Sequence, residues 1–426
     1  MNRRDLLLSA GAIGLGAAFP VLAADDDKVI ARDAWFYALP LIEMATTRAR
    51  SLAGGTKINR FAPGRGLTDH TGRTVTTPNN DTLYSSGWID LTRGPVTLTV
   101  PEMGARYWSV AVMDMFTNNS VVLGSRTVGG GGGVFTLVGP GEDAYPANAI
   151  QVATPHAWVL ARVLVDGPDD VPAVQALLEG LTLQGPGDTP PTPAYAVRAA
   201  PAEDYFASAR SLLASDPAPM TDLKLLRRAA GLLGPNAGAL PDGAKAGVAE
   251  AQTLAKAAFA RQNFIQGWSY PKADLGDYGQ DYLYRAAVAL GGLGALPVAE
   301  AMYMRAQGDG QGLFNGDGLW RLTLPAQLPL DGFWSLSMYE ATPDGQFFFT
   351  DNPLNRYAIG DRTRGLTRNA DGSLDIWIGR TDPGGARSAN WLPAPKAGPY
   401  ALFLRTYLPR AELLDGRWRV PAITAG

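Results

Sequence analysis

Apolar and polar residues alternate along two separate stretches of this chain, and a helical period fills the stretches before and between them. From Asp25 to about Leu52, Ile30, Ala34, Tyr37, Leu41, Met44 and Ala45 recur at helical spacing. Pro40 should kink or split that helix, and Gly54-Gly55 ends it. From Arg73 to Val165 the period is two. Candidate strands are Leu83–Leu91, Val96–Val100, Tyr107–Met113, Val121–Gly124, Val134–Val138 and Trp158–Val165. The five-glycine run Gly129 to Gly133 lacks the Lys-Ser/Thr of a phosphate loop and reads as a flexible hairpin loop. Pro168 to about Gln307 reads as helical, near Val171–Leu183, Glu203–Ala214, Asp222–Leu233, Gly243–Gln266 and Tyr282–Met304. Strands return at Leu319–Leu324, Phe333–Tyr339, Ser373–Gly379, Ala401–Tyr407 and Trp418–Val420, with Asp371-Gly372 as a hairpin turn.

The pattern predicts an α+β fold with two β-sandwich regions separated by a helical segment. The expected divisions are 1–24, 25–167, 168–307 and 308–426. The two β regions should pack on each other, with the helices on one side.

Residues 1–24 read as an export signal. Arg3-Arg4 precede an apolar run from Leu6 to Leu22, and Val21-Leu22-Ala23 is a small-residue cleavage pattern. The twin arginines point to export of a folded protein, with a periplasmic or secreted destination. The run is too short and Gly-rich for a stable membrane span. Lys+Arg number 37 and Asp+Glu 40, and removing Arg3, Arg4 and Asp5 leaves 35 − 39 = −4. That mild acidity argues against nucleic acid, which asks for a basic patch.

Cysteine is absent, which excludes disulfides, thiolate metal sites and cysteine catalysis. The two histidines are His70, beside Asp69 in a polar loop, and His156, which reads as structural. What remains is carboxylate, amide, phenol and guanidinium chemistry.

That chemistry is densest at Pro78-Asn79-Asn80-Asp81-Thr82-Leu83-Tyr84, where a turn enters a strand. This stretch, PNNDTLYSSGWIDL, with RYWSVAVMDMFTNNSVVLGSRTVG after it, resembles the bacterial family domain of unknown function 1254. The stretch FWSLSMYEATPDGQFFFTDNPLNRYAIGDRT, with DGSLDIWIG, NWLPAP and ALFLRTYLP, is similar to domain of unknown function 1214. The resemblance implies jelly-roll-like sheets, similar to the doubled jelly rolls of some viral capsid proteins, and names no substrate.

The expected site is a cavity lined by Asn79, Asn80, Asp81 and Tyr84, joined by Arg405 and Tyr407 from the second β region. Asp81 and Tyr84 are its candidate catalytic groups; Asn79, Asn80, Arg405 and Tyr407 would bind. No cofactor is expected, although the oxygens of Asn79, Asn80 and Asp81 could suit calcium. Asp114 and Glu340 are further candidate acids, or partners of Arg106 or Arg405. Trp88, Trp108, Trp334, Trp377 and Trp391 are core residues or, if exposed in a groove, a surface for stacking sugars. Three functions fit: a cofactor-independent hydrolase of a small molecule or glycan, a cell-envelope glycan- or ligand-binding module, and a capsid-like structural or assembly protein; a homo-oligomer is compatible with the reading.

Overall fold

The computed structural model describes residues 19–141, 148–187, 192–258, 263–308 and 312–426. Residues 1–18 of the expected export signal therefore lie outside the described residues. No described helix is long and apolar enough to cross a membrane.

The first helix, α1 (Phe19–Ala53), runs unbroken through Pro40. Its apolar face is buried from Ala34 to Ile42, and that packing holds the helix together where Pro40 removes a backbone donor. The first β region contains β1 (Arg60–Pro63), β2 (Thr82–Asp90), β3 (Val96–Val100), β4 (Trp108–Asp114), β5 (Asn119–Gly124), β6 (Gly133–Val138), β7 (Ile150–Gln151), β8 (His156–Leu164) and β9 (Thr182–Gln184). They form two sheets, in the orders β1-β2-β8-β4-β5 and β7-β6-β3-β9. Leu83, Val110, Val159 and Val163 of one sheet close on Leu98, Leu137 and Leu183 of the other. The glycine run is no hairpin loop: it joins β5 and β6, which lie in different sheets. It packs so closely that a Cβ on Gly130 would stand 1.9 Å from the Gly104 carbonyl oxygen.

The helical middle holds α2 (Val171–Gly180), α3 (Ala202–Ser215), α4 (Leu223–Arg228), α5 (Ala230–Leu233), α6 (Ala244–Ala258) and α7 (Tyr282–Gly291). A small hairpin, β10 (Phe264–Ile265) with β11 (Trp268–Ser269), follows α6. Helices α3 to α7 share a core with α1, and Trp88 and Met113 from the first large sheet enter it, whereas α2 buries Val174 and Leu178 in the core of the first β region. Two expected helices are shorter than their apolar runs. Thr182–Gln184 is strand, and Tyr282–Met304 is helix only to Gly291, after which Gly292, Gly294 and Pro297 stop it. The second β region thus begins at Ala301, before Gln307.

That region contains β12 (Ala301–Arg305), β13 (Trp320–Leu324), β14 (Trp334–Ala341), β15 (Phe347–Phe348), β16 (Ala358–Gly360), β17 (Leu374–Gly379), β18 (Trp391–Pro393), β19 (Tyr400–Tyr407) and β20 (Thr424–Ala425), with the short helix α8 (Ala411–Leu414). Trp418–Val420 is not a strand; Val420 N–H is taken by the Tyr270 hydroxyl instead. A turn forms at Asp371-Gly372, but β17 pairs with β13 and β18 rather than with the strand preceding the turn.

The two β regions are copies of one plan. One large sheet has β2-β8-β4-β5 and the other β12-β19-β14-β16; the small sheets are β7-β6-β3-β9 and β18-β17-β13-β20. The eight strands come in the same chain order in both halves, and β1 and β15 are additions at an edge. Even the parallel pairs correspond, β6 with β7 and β17 with β18. Tyr107, Ala111 and Val122 of the first large sheet pack on Ala301, Phe333 and Tyr407 of the second, so the copies meet along their large sheets.

Candidate functional site

Equivalent strands put equivalent residues in rows across the two large sheets. In the first, Tyr84, Arg162, Ser109 and Gly124 lie side by side. In the second, the row is Tyr303, Arg405, Ser335 and Gly360. Each glycine opens a Gly-x-Arg-Thr turn, and each threonine hydroxyl caps its own glycine N–H at 2.9 Å. A carboxylate precedes each row's tyrosine by three residues, Asp81 in the first half and Glu300 in the second.

These carboxylates are exchanged between the halves. Asp81 accepts from the Ser335 hydroxyl at 2.5 Å and from Arg362 Nη2 at 3.1 Å, both in the second half. Glu300 accepts from the Tyr107 hydroxyl at 2.9 Å and from Arg126 Nε at 2.7 Å, both in the first. Both carboxylates are buried. Their oxygens are thus engaged by cross-half donors, and the pair forms a reciprocal clasp.

The turn ahead of Asp81 folds into the seam. Asn79 Oδ1 accepts the Asp81 N–H at 2.6 Å, a local bond that suits Asn in a turn. Its Nδ2 donates to the Tyr407 hydroxyl at 2.7 Å, which lies 3.1 Å from that of Tyr303. Arg405 donates to Ser337 Oγ at 2.7 Å and to the Thr77 carbonyl at 2.9 Å. Thr77 holds a φ of 48°, unusual for a β-branched residue and kept by these contacts. Asn79, Asp81, Arg405 and Tyr407 are therefore in one connected network. Tyr84 joins them through its ring, 5.4 Å from the Arg162 guanidinium. Asn80 is half-buried and makes no hydrogen bond among the described residues.

Arg162 was missed in the sequence. It is 5% exposed, yet among the described residues its one acceptor is the Gly294 carbonyl, at 2.6 Å from Nη2. Nε and Nη1 are buried and have no partner among the described residues. The contrast with Arg405 has a simple origin: Ala111 occupies the position that Ser337 holds in the other half. The phenols of Tyr84, Tyr107, Tyr303 and Tyr407 surround Arg162. Burial raises the pKa of Tyr107, Tyr303 and Tyr407, so they remain neutral hydroxyls. Tyr303 keeps 38% of its surface exposed, so the seam reaches solvent there.

Residues 58–185, the first β region, match the model for DUF1254, a protein of unknown function. Residues 300–411, which begin at Glu300, match that for DUF1214, also a protein of unknown function. The chain carries both domains. The clasp therefore joins DUF1254 to DUF1214, each supplying the acid that the other binds. Among solved structures, the VPA0106 protein from Vibrio parahaemolyticus is similar over 94% of this chain and 100% of that one, with a TM-score of 0.71 at 22% identity. An uncharacterized protein from Burkholderia cenocepacia covers 96% of each chain at 14% identity, with a TM-score of 0.48. No curated protein matches.

The other candidates are dispersed. Asp114 bonds Asn118 and the Phe116 N–H, not Arg106 or Arg405, and Glu340 pairs with Arg73. Arg106 pairs with Asp170 instead, at 2.5 Å. His70 Nδ1 lies 2.8 Å from the Tyr357 hydroxyl, and His156 is held by Asp216. All five singled-out tryptophans are buried, so they offer no surface for stacking sugars. Among the described residues, no group of three or more His, Cys, Asp or Glu is placed to hold a metal ion. The oxygens expected for calcium, on Asp81 and Asn79, accept from protein donors.

Proposed function

We propose that the chain is an exported binding protein for a small molecule with an anionic group, which Arg162 receives in the seam between the two domains. The observation that carries this reading is a buried cation with two unpartnered nitrogens and no ion pair among the described residues. A buried charge without a partner costs several kcal/mol, roughly, unless something compensates it. An anion would do so, and a guanidinium fork suits a carboxylate or phosphate. The phenols of Tyr84 and Tyr303 would donate to the same ligand. Binding is favoured over hydrolysis because Asp81 and Glu300, the acids of the seam, are already engaged. Export is supported by Arg3-Arg4 and the apolar run after them. Replacing both arginines by lysine should deplete the periplasmic fraction.

The binding claim is tested by thermal unfolding with a panel of small carboxylates, phosphates and sulfonates. At least one should raise the melting temperature of the wild type and leave Arg162→Gln unmoved. Equal shifts in both proteins, or no shift in either, would contradict it.

A further inference from the structure

A second buried guanidinium lies where the C-terminal part of α1 meets the start of β8. Arg48 is 3% exposed, its Nε has no partner, and no ion pair or hydrogen bond engages its side chain among the described residues. It lines a cavity of about 260 Å³. Asp90 and His156 line the same space, with Ile58 and Tyr195 on its apolar side and the exposed Ser211 at its rim. A larger cavity of about 320 Å³ near Trp334 is less informative, because its Arg410 already pairs with Asp331.

The charges in the Arg48 cavity are unequally met. Asp90 Oδ1 accepts both the N–H and the hydroxyl of Thr92, at 2.9 and 2.6 Å. Its Oδ2 faces His156 Nε2 at 3.8 Å, and His156 Nδ1 is held by Asp216 at 3.0 Å. Arg48 is the group left over.

We propose that this cavity is a second ligand site, for a small organic monocarboxylate that pairs with Arg48 and lays its apolar body against Ile58 and Tyr195. The planar fork of the guanidinium matches a carboxylate in a two-bond arrangement. A doubly charged anion fits less well, because buried Asp90 would repel it. An engineered cavity of about 150 Å³ accepts benzene, so this space takes a molecule of roughly ten heavy atoms. The site stands apart from Arg162 and does not depend on the seam binding anything.

The probe is benzoate, with benzamide as its neutral isostere, titrated calorimetrically into the full chain. Benzoate should bind and benzamide should not. Arg48→Gln should weaken benzoate at least tenfold, and Ser211→Trp, an exposed change that closes the rim, should do the same. The titrations are run in parallel on Arg162→Gln, so that any benzoate held in the seam is not counted at this site. If Arg48→Gln fails to fold, the Ser211→Trp result decides. No benzoate binding by the wild type, or binding that survives Ser211→Trp, would overturn the proposal.

Discussion

The seam places two equivalent arginines in unequal surroundings, and one residue explains the difference. Ser337 gives Arg405 an acceptor at 2.7 Å, while its counterpart Ala111 gives Arg162 nothing. Restoring the hydroxyl with Ala111→Ser should therefore stabilise the unliganded protein, by about 0.5–1.5 kcal/mol, the net worth of an ordinary hydrogen bond. It should also weaken whatever anion Arg162 receives. Chemical denaturation and the anion panel check both halves of this expectation. A second prediction concerns Asp114, whose carboxyl burial pushes up to about 6 despite the N–H groups of Phe116 and Asn118. Its proton is held more tightly in the native state than in the unfolded chain, where the value is 3.8. Between those values the folded protein carries more proton, so Asp114's contribution to stability is full below about pH 4 and falls as the pH rises through 6. Two units correspond to roughly 3 kcal/mol. Asp114→Asn should flatten the pH dependence of unfolding over that window relative to wild type, and an unchanged slope would contradict the assignment. Of the site itself, the Asn79–Asp81 turn, Arg405 and Tyr407 were legible, because polar groups crowd there on a turn and a strand. Arg162 was not. In Val159-Leu160-Ala161-Arg162-Val163 it sits in an apolar run whose neighbours say nothing about a missing partner.

At the scale of elements, most of the longer strands were legible, while the short strands, β12 and the helix ends were not. Period-two alternation marks a half-buried strand within a residue or so, as at Val96–Val100. The alanine-rich middle offers no such contrast, so the apolar run of Tyr282–Met304 hid a change from helix to strand. Packing between helices was also invisible. Gly247 of α6 lies so close to α1 that a Cβ there would stand 2.2 Å from the Lys28 carbonyl oxygen. Alanine is the better helix former by about 1 kcal/mol. Gly247→Ala should nevertheless lower the melting temperature, since forcing well-packed elements apart costs about 1–3 kcal/mol. A gain in helicity with unchanged or raised stability would show that α1 and α6 are less tightly joined.

At the scale of the molecule, the chain is a duplicated unit whose halves lock by exchanging acids. Gly124-Ser125-Arg126-Thr127 and Gly360-Asp361-Arg362-Thr363 state the duplication in the sequence, as do Trp108-Ser109 and Trp334-Ser335. The loops between them differ in length, so no fixed period connects the copies, and only pairing in the sheets aligns them. Asp81→Asn should cost about 1–3 kcal/mol, because Arg362 and Ser335 lose a charged acceptor in a buried place. A double-mutant cycle with Arg362→Gln should show coupling above about 0.5 kcal/mol. Additive effects would mean that the clasp does not hold the domains together. The duplication also bears on where the proposed anion site lies: the seam inherits two arginines from one plan, both leave Nε without a partner among the described residues, and of the two Arg162 alone leaves Nη1 so as well. The direct measurement is a crystal structure of the chain soaked in bromide, with anomalous data collected at the bromine edge. A peak is expected within hydrogen-bonding reach of Arg162 Nη1 and should be absent in Arg162→Gln crystals. A protein carboxylate already seated on Nη1, or bromide bound elsewhere with none at Arg162, would contradict it.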